Sequence, residues 1–235
     1  MTLIPNDSPS TPKAKALVTH PTPHYRTLIF QAYLLVAVSI FIGLAFLANT
    51  VAYFTFDVTI TREIQEFQAS WFSALMLAIS WIGFPPQSFL IAGAIVIFLF
   101  WRGLRRAARV SMISLVTSLA FGLAIKLVVH RPRPSADLVN VFAQLADTSF
   151  PSGHVLYFTS FFGFLWFLTF TLLKPSWVRV ALMILWGTLI GLVGISRIYL
   201  GQHWASDVFA AYLLGSVWLS VAIALYRRDK SETAV

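Results

Sequence analysis

The chain has 235 residues, 58% of them hydrophobic and only 11% charged, with a formal net charge of +8 and no cysteine. A soluble domain carries roughly 25% charged residues, so a chain this apolar, with a mean hydropathy of +0.77, lacks the polar surface to enclose its core in water. The missing cysteines exclude disulfides, thiolate metal sites and a thiol nucleophile.

Residues 1–27 carry Pro5, Pro9, Pro12, Pro21 and Pro23 and show no apolar period. They read as a disordered tail, and the first apolar run after them as a span that is retained, because no small-x-small cleavage site ends it. Apolar runs then occur at residues 28–54, 84–101, 110–129, 155–173, 177–195 and 208–226. Each is close to the ~20 residues that cross hydrocarbon, and Lys126 interrupts the third near its end. Between residues 59 and 84 the pattern differs. Ile60, Ile64, Phe67, Trp71, Ala74, Ala78 and Trp81 recur at steps of three and four, with Arg62, Glu63, Gln65 and Glu66 among the early ones. That is helical amphipathicity, and its polar start suits a helix lying at the membrane interface. Gly83-Phe84-Pro85-Pro86 ends it and turns the chain into the second span.

The expected fold is therefore all-α: one polytopic domain over residues 28–226, with six transmembrane helices and an interfacial amphipathic helix. Residues 227–235 form a short tail. With both termini cytoplasmic, only Arg62, Lys126, Arg131, Arg133 and Arg197 of the 17 Lys and Arg residues lie outside, as the positive-inside rule favours. The positive charge thus follows from membrane topology and argues against a nucleic-acid partner.

The outer cations cluster with histidines in three segments that share one membrane face. The first is Lys126 to Pro134, with His130, Arg131 and Arg133. The second is Pro151-Ser152-Gly153-His154, and the third runs from Ser196-Arg197 to His203 and Asp207. Arg133, between prolines, offers a planar guanidinium matched to phosphate oxygens. Lys126 alone would read as a lysine snorkelling to the interface. Ser152 is placed to cap a helix whose first N–H groups point at an anion, and Gly153 permits close approach. His203 and Asp207 are four apart, hence on one helix face, where a carboxylate can hold one imidazole nitrogen as N–H and free the other as nucleophile or base. A structural Arg197–Asp207 pair is the plain alternative. Tyr199 and Trp204 read as interfacial anchors, and Asp137 and Asp147 as solvated loop charges. Three cations beside His130, His154 and His203 oppose Zn²⁺, and no carboxylate cluster suggests Mg²⁺ or Ca²⁺.

These segments resemble the signature of the type 2 phosphatidic acid phosphatase family, the lipid phosphate phosphatases. Lys126, six residues, then Arg133-Pro134 match its first motif; Pro151 to His154 match the second; Ser196, Arg197, His203 and Asp207 match the third. The resemblance spans roughly residues 59–226 and shows no departure at a motif position. It implies that His203 attacks phosphorus, that Asp207 orients it, and that His154 protonates the leaving oxygen and then activates water. It assigns Lys126, Arg133, Arg197, Ser152 and the Gly153 N–H to the phosphoryl oxygens, and implies no metal or cofactor. The expected partner is a lipid phosphate such as undecaprenyl pyrophosphate, phosphatidylglycerol phosphate or phosphatidic acid, met at the outer face of a bacterial plasma membrane. A lipid phosphotransferase would use the same residues. A haloperoxidase of the wider superfamily fits six spans poorly, and transporter sites tend to lie at the midplane rather than at span ends.

Overall fold

The structure is a computed structural model and describes residues 24–232. Among them the fold is entirely helical: α1 (His24–Thr50), α2 (Thr55–Gln65), α3 (Ser70–Gly83), α4 (Gln87–Trp101), α5 (Arg105–Val128), α6 (Gly153–Tyr157), α7 (Gly163–Leu172), α8 (Trp177–Tyr199) and α9 (Ala205–Glu232). A π-helical turn, Phe158–Phe162, joins α6 to α7 without a break. Most of the tail expected at the N-terminus lies outside the described residues. The last helix continues six residues past the expected end of the sixth span.

Five helical stretches are long and apolar enough to cross a membrane: Thr27–Thr50, Arg105–Val128, Gly153–Leu172, Trp177–Tyr199 and Ala205–Arg228. A sixth candidate is a pair, Ser70–Gly83 and Gln87–Trp101, bent by 64°: a broken span or a re-entrant loop. The 15 residues of α4 rise only about 22 Å at 1.5 Å each, short of a hydrocarbon core about 30 Å thick. Only together with α3 does this stretch pass as a candidate span, and Pro85-Pro86, which cannot continue a helix from α3, makes the elbow between the two. The amphipathic segment expected over residues 59–84 is accordingly two helices. Only α2 is amphipathic, and its buried stripe is the polar one: Asp57, Thr61 and Gln65.

The stretch Gly153–Leu172 is 78% buried, against a third or less for the other four single-helix spans, so α6 and α7 form the central helix. Around it, α5 packs on α4 and α9, α8 on α3 and α7, and α1 along α9. Phe158, Phe161, Phe162 and Phe164 fill the centre. The segment between α5 and α6 has no helix of its own, a length that in a compact domain usually signals function. It is stapled from two sides. Gln65 of α2 donates to the carbonyls of Asn140 (2.7 Å) and Tyr199 (2.8 Å) and accepts from the Asn140 N–H, while Trp204 Nε1 donates to the Pro132 carbonyl (3.1 Å).

Candidate active site

The three segments converge on one cavity of about 310 Å³. Its polar end is lined by Lys126 from the last turn of α5, Arg133 from the loop, Gly153 and His154 from the start of the central helix, Arg197 from the last turn of α8, and His203. Its other end is apolar, with Phe89 of α4 and Leu115, Leu119 and Leu123 of α5. Phe89 and Leu123 are 56% and 62% exposed, so this end opens sideways from the bundle into the surroundings of the spans.

His203 sits in the turn between α8 and α9. That turn depends on Gly201: its φ is +63°, and a Cβ there would lie 2.2 Å from the Asn140 carbonyl oxygen. Arg133 Nη1 lies 3.2 Å from His203 Nε2. A guanidinium only donates, so Nε2 is the bare nitrogen and Nδ1 carries the hydrogen. Burial, and then the charges of Arg133, Arg197 and Lys126, hold His203 well below the usual imidazole range. It is thus neutral and available as a nucleophile near pH 7.

Behind the imidazole, Asp207 Oδ2 lies 3.8 Å from Nδ1, beyond hydrogen-bond reach. Ser149 Oγ stands between them, 3.5 Å from Nδ1 and donating to Asp207 Oδ2 at 2.5 Å. Asp207 also accepts from the Trp204 N–H (3.0 Å), as a residue in the first turn of a helix can. Its other oxygen takes Arg131 Nη1 at 2.5 Å. The partner of Asp207 is therefore Arg131, not Arg197. Arg131 in turn donates to Asp57 Oδ2 (2.8 Å), Ser206 Oγ (2.7 Å) and the Ala52 carbonyl (3.1 Å). Asp57 completes the set by accepting from the Ser206 N–H and hydroxyl. The side chains of Arg131, Asp57 and Asp207 are all fully buried.

The opposite wall is built by the α3–α4 elbow. His154 Nε2 is 3.1 Å from the Ser80 carbonyl, which can only accept, leaving Nδ1 as the nitrogen free to exchange a proton. Its ring stands edge-on to Phe84 at 4.5 Å. Residue 83 has to be glycine, because a Cβ would lie 2.2 Å from His154 Cδ2. Arg197 Nη1 donates to Ser80 Oγ (2.5 Å), and the guanidinium lies 5.1 Å from the Phe84 ring centre. Arg197 is fully buried, yet its Nε finds no hydrogen-bond partner. Ser152 occupies the N-cap position, but its hydroxyl makes no cap bond and is likewise buried without a partner. Buried donors left open are costly; Arg197 lines the cavity, where an oxyanion oxygen would offer a partner, whereas Ser152 is absent from the lining.

Lys126 does not snorkel. Its side chain is 12% exposed and pairs with Asp147 Oδ2 at 3.1 Å. Tyr199 and Trp204 are buried, Tyr199 with its hydroxyl 2.6 Å from Ser73 Oγ, so they brace the turn instead of anchoring an interface. His130 is exposed and stands apart from the cavity lining. Among the described residues no group of three or more His, Asp or Glu side chains could hold a metal ion. Motif reasoning missed Asp57, Ser80, Arg131 and Ser149. For Asp57 the available signal was the polar step 57, 61, 65, which the apolar period overshadowed.

Residues 107–231, more than half of the chain, match the PAP2 superfamily. An undecaprenyl-diphosphatase of Sulfolobus acidocaldarius is 30% identical over 169 residues, covering 70% of this chain and 75% of that protein. Among solved structures, the transmembrane PAP2-type phosphatidylglycerolphosphate phosphatase of Bacillus subtilis superposes with a TM-score of 0.72 at 22% identity, over 83% of this chain and 96% of that one. LpxE of Aquifex aeolicus gives 0.59 at 21% identity, over 73% and 96%. The chain belongs to the PAP2 superfamily and has the fold of its multi-pass membrane phosphatases.

Proposed function

We propose that this protein is a membrane lipid phosphatase or diphosphatase that removes phosphate from an amphiphile through a phosphohistidine on His203, at the outer face of a plasma membrane, with both termini cytoplasmic. His203 Nε2 attacks phosphorus while Lys126, Arg133, Arg197, the Ser152 hydroxyl and the Gly153 N–H take the phosphoryl oxygens. His154 enters as the imidazolium, favoured by the negative charge of the bound phosphate. Its Nε2–H stays on the Ser80 carbonyl, and it gives the Nδ1 proton to the departing oxygen and is left neutral. It then removes a proton from the water that attacks phosphorus, breaks the P–N bond and releases orthophosphate. Asp207 holds the imidazolium that the transfer creates, acting through Ser149. No step calls on a metal ion.

The observation that carries this reading is the pairing of a buried, cation-lined end with an apolar end in one cavity. Orthophosphate or a soluble ester would use only the first; a phosphate with a hydrocarbon tail would use both, its chain leaving past Phe89 and Leu123. An undecaprenyl-diphosphatase among the relatives points to polyprenyl diphosphates as the first substrates to try. The outer placement rests on the distribution of Lys and Arg.

The test is phosphate release by the purified protein in detergent with EDTA, across lipid mono- and diphosphates, wild type beside His203→Ala. Wild type is expected to release phosphate and to trap an acid-labile phosphoryl adduct, and His203→Ala to do neither. Turnover by His203→Ala would remove the covalent step. Loss of wild-type activity in EDTA, restored by a divalent cation, would overturn the metal-free mechanism.

A further inference from the structure

Asp147 is not a solvated loop charge. Its carboxylate bridges two of the cations at the polar end of the cavity, with Oδ1 2.6 Å from Arg133 Nη2 and Oδ2 3.1 Å from Lys126 Nζ. Its backbone carbonyl also accepts from Arg133 Nε (2.9 Å). Burial pushes the Asp147 carboxyl up, but Lys126 and Arg133 outweigh it and hold the group below the ordinary carboxylate range. Two carboxylate oxygens set across a lysine and a forked guanidinium occupy the places that two phosphoryl oxygens would take.

The grip is of a releasable kind. The Asp147 side chain is 57% exposed while those of Lys126 and Arg133 are 12% exposed, and ion pairs with a solvated partner are individually weak. Asp57 and Asp207, by contrast, are fully buried against Arg131 and have no water to turn to. Asp147 is also the one acid among the residues lining this cavity. Swung outward, it leaves Lys126, Arg133 and Arg197 facing the cavity with one negative charge fewer among them.

Resting on the phosphatase reading above, we propose that Asp147 is a built-in competitor for phosphate: it clasps Lys126 and Arg133 between turnovers, yields them to the phosphoryl group, and returns to displace orthophosphate. The residue would then set affinity and product release, not the chemical step. Its consequence for substrate choice is direct. Weak anions are kept off the cations, while a ligand that adds tail contacts at the apolar end can displace the carboxylate.

The experiment measures orthophosphate binding by calorimetry on the full-length protein in detergent at one ionic strength, since exposed charges are screened by salt. Wild type is compared with Asp147→Asn, Asp147→Ala and Asp137→Asn. Asp137 is an exposed acid of the same loop that is absent from the cavity lining, so its variant removes equal charge without touching the clasp. Both Asp147 variants are expected to bind orthophosphate roughly tenfold tighter, the loss of about two weak ion pairs from the competing state, and Asp137→Asn to match wild type. In turnover, KM and the inhibition constant for orthophosphate should fall together. Equal tightening in Asp137→Asn would reduce the effect to general field. Unchanged or weaker binding in the Asp147 variants, with wild type still hydrolysing lipid phosphates, would sink the competitor and leave the phosphatase standing. If no variant binds orthophosphate and wild type hydrolyses nothing, the phosphate site itself is wrong and the competitor goes with it.

Discussion

The two sides of His203 are built on opposite terms. Behind the imidazole, Asp207, Arg131, Asp57, Ser206 and Ser149 form a closed set in which each buried charge meets its counter-charge and hydrogen-bond partners. In front of it, Arg197 lines the cavity with its Nε buried and unpartnered, and Arg133 and Lys126 share one half-exposed carboxylate. Closed sets of this kind hold geometry, because removing any member strands another in a low-dielectric interior. Open ones have bonding capacity left for a ligand. The division therefore separates residues that should matter to folding from residues that should matter to turnover.

Substitution on the two sides breaks or sharpens that separation. Arg131→Met should be the most damaging to the fold, since it strands the Asp57 and Asp207 carboxylates together. Breaking a buried pair typically costs about 3–5 kcal/mol, to be read as a large drop in thermal midpoint in fixed detergent. A variant as stable as wild type would show that the closed set is dispensable. Arg197→Ala should reverse the pattern. It strands no carboxylate, so stability should change little, while kcat falls by roughly 10²–10³ if the guanidinium stabilises charge in the transition state. It also carries a second signature. Arg197 is one of the cations that depress His203, and protonating His203 removes the nucleophile, so activity is lost as pH falls through its depressed pKa. Without Arg197 that acid limb should move to higher pH. An unmoved limb together with a wild-type rate would make Arg197 structural.

What could be read from the chain follows the reach of each interaction along it. Lys126 with Arg133, residues 151–154, and Arg197 with His203 and Asp207 announce themselves because each set spans a turn or two of backbone. Ser80 and Asp57 do not, because their partners His154, Arg197, Arg131 and Ser206 lie 74–149 positions away. Helix existence was legible from apolar length. The break between α2 and α3 was not, since Phe67 and Trp71 carry one apolar period across it, and α3 meets the next apolar run only at the Pro85-Pro86 elbow. For α2 the amphipathic period was visible, but a stripe of Asp57, Thr61 and Gln65 turns inward. Ile60 and Ile64 pack against the core beside that stripe, and Arg62, Glu63 and Glu66 are the exposed positions, so the helix buries polar and apolar residues on adjoining faces.

Ser149 lies on the seam between the two sides, and its removal is the subtlest test. Its Oγ donates to Asp207 Oδ2 at 2.5 Å and stands 3.5 Å from His203 Nδ1, while the direct carboxylate–imidazole separation is 3.8 Å. If the hydroxyl relays the carboxylate to the ring, Ser149→Ala loses one hydrogen bond to a charged group. That is about 1.5–3 kcal/mol in a buried setting, part of it recovered as Asp207 keeps the Trp204 N–H and Arg131. A fall in kcat of roughly tenfold is expected, with KM for the lipid phosphate unchanged because Ser149 is absent from the cavity lining. Ser149→Thr, which restores the oxygen, should recover most of the rate. A purely structural serine would instead lower the thermal midpoint and leave kcat per folded molecule alone. A carboxylate that closes directly on the ring would leave the Ala variant at or above the wild-type rate, which would return the orienting role to Asp207 alone.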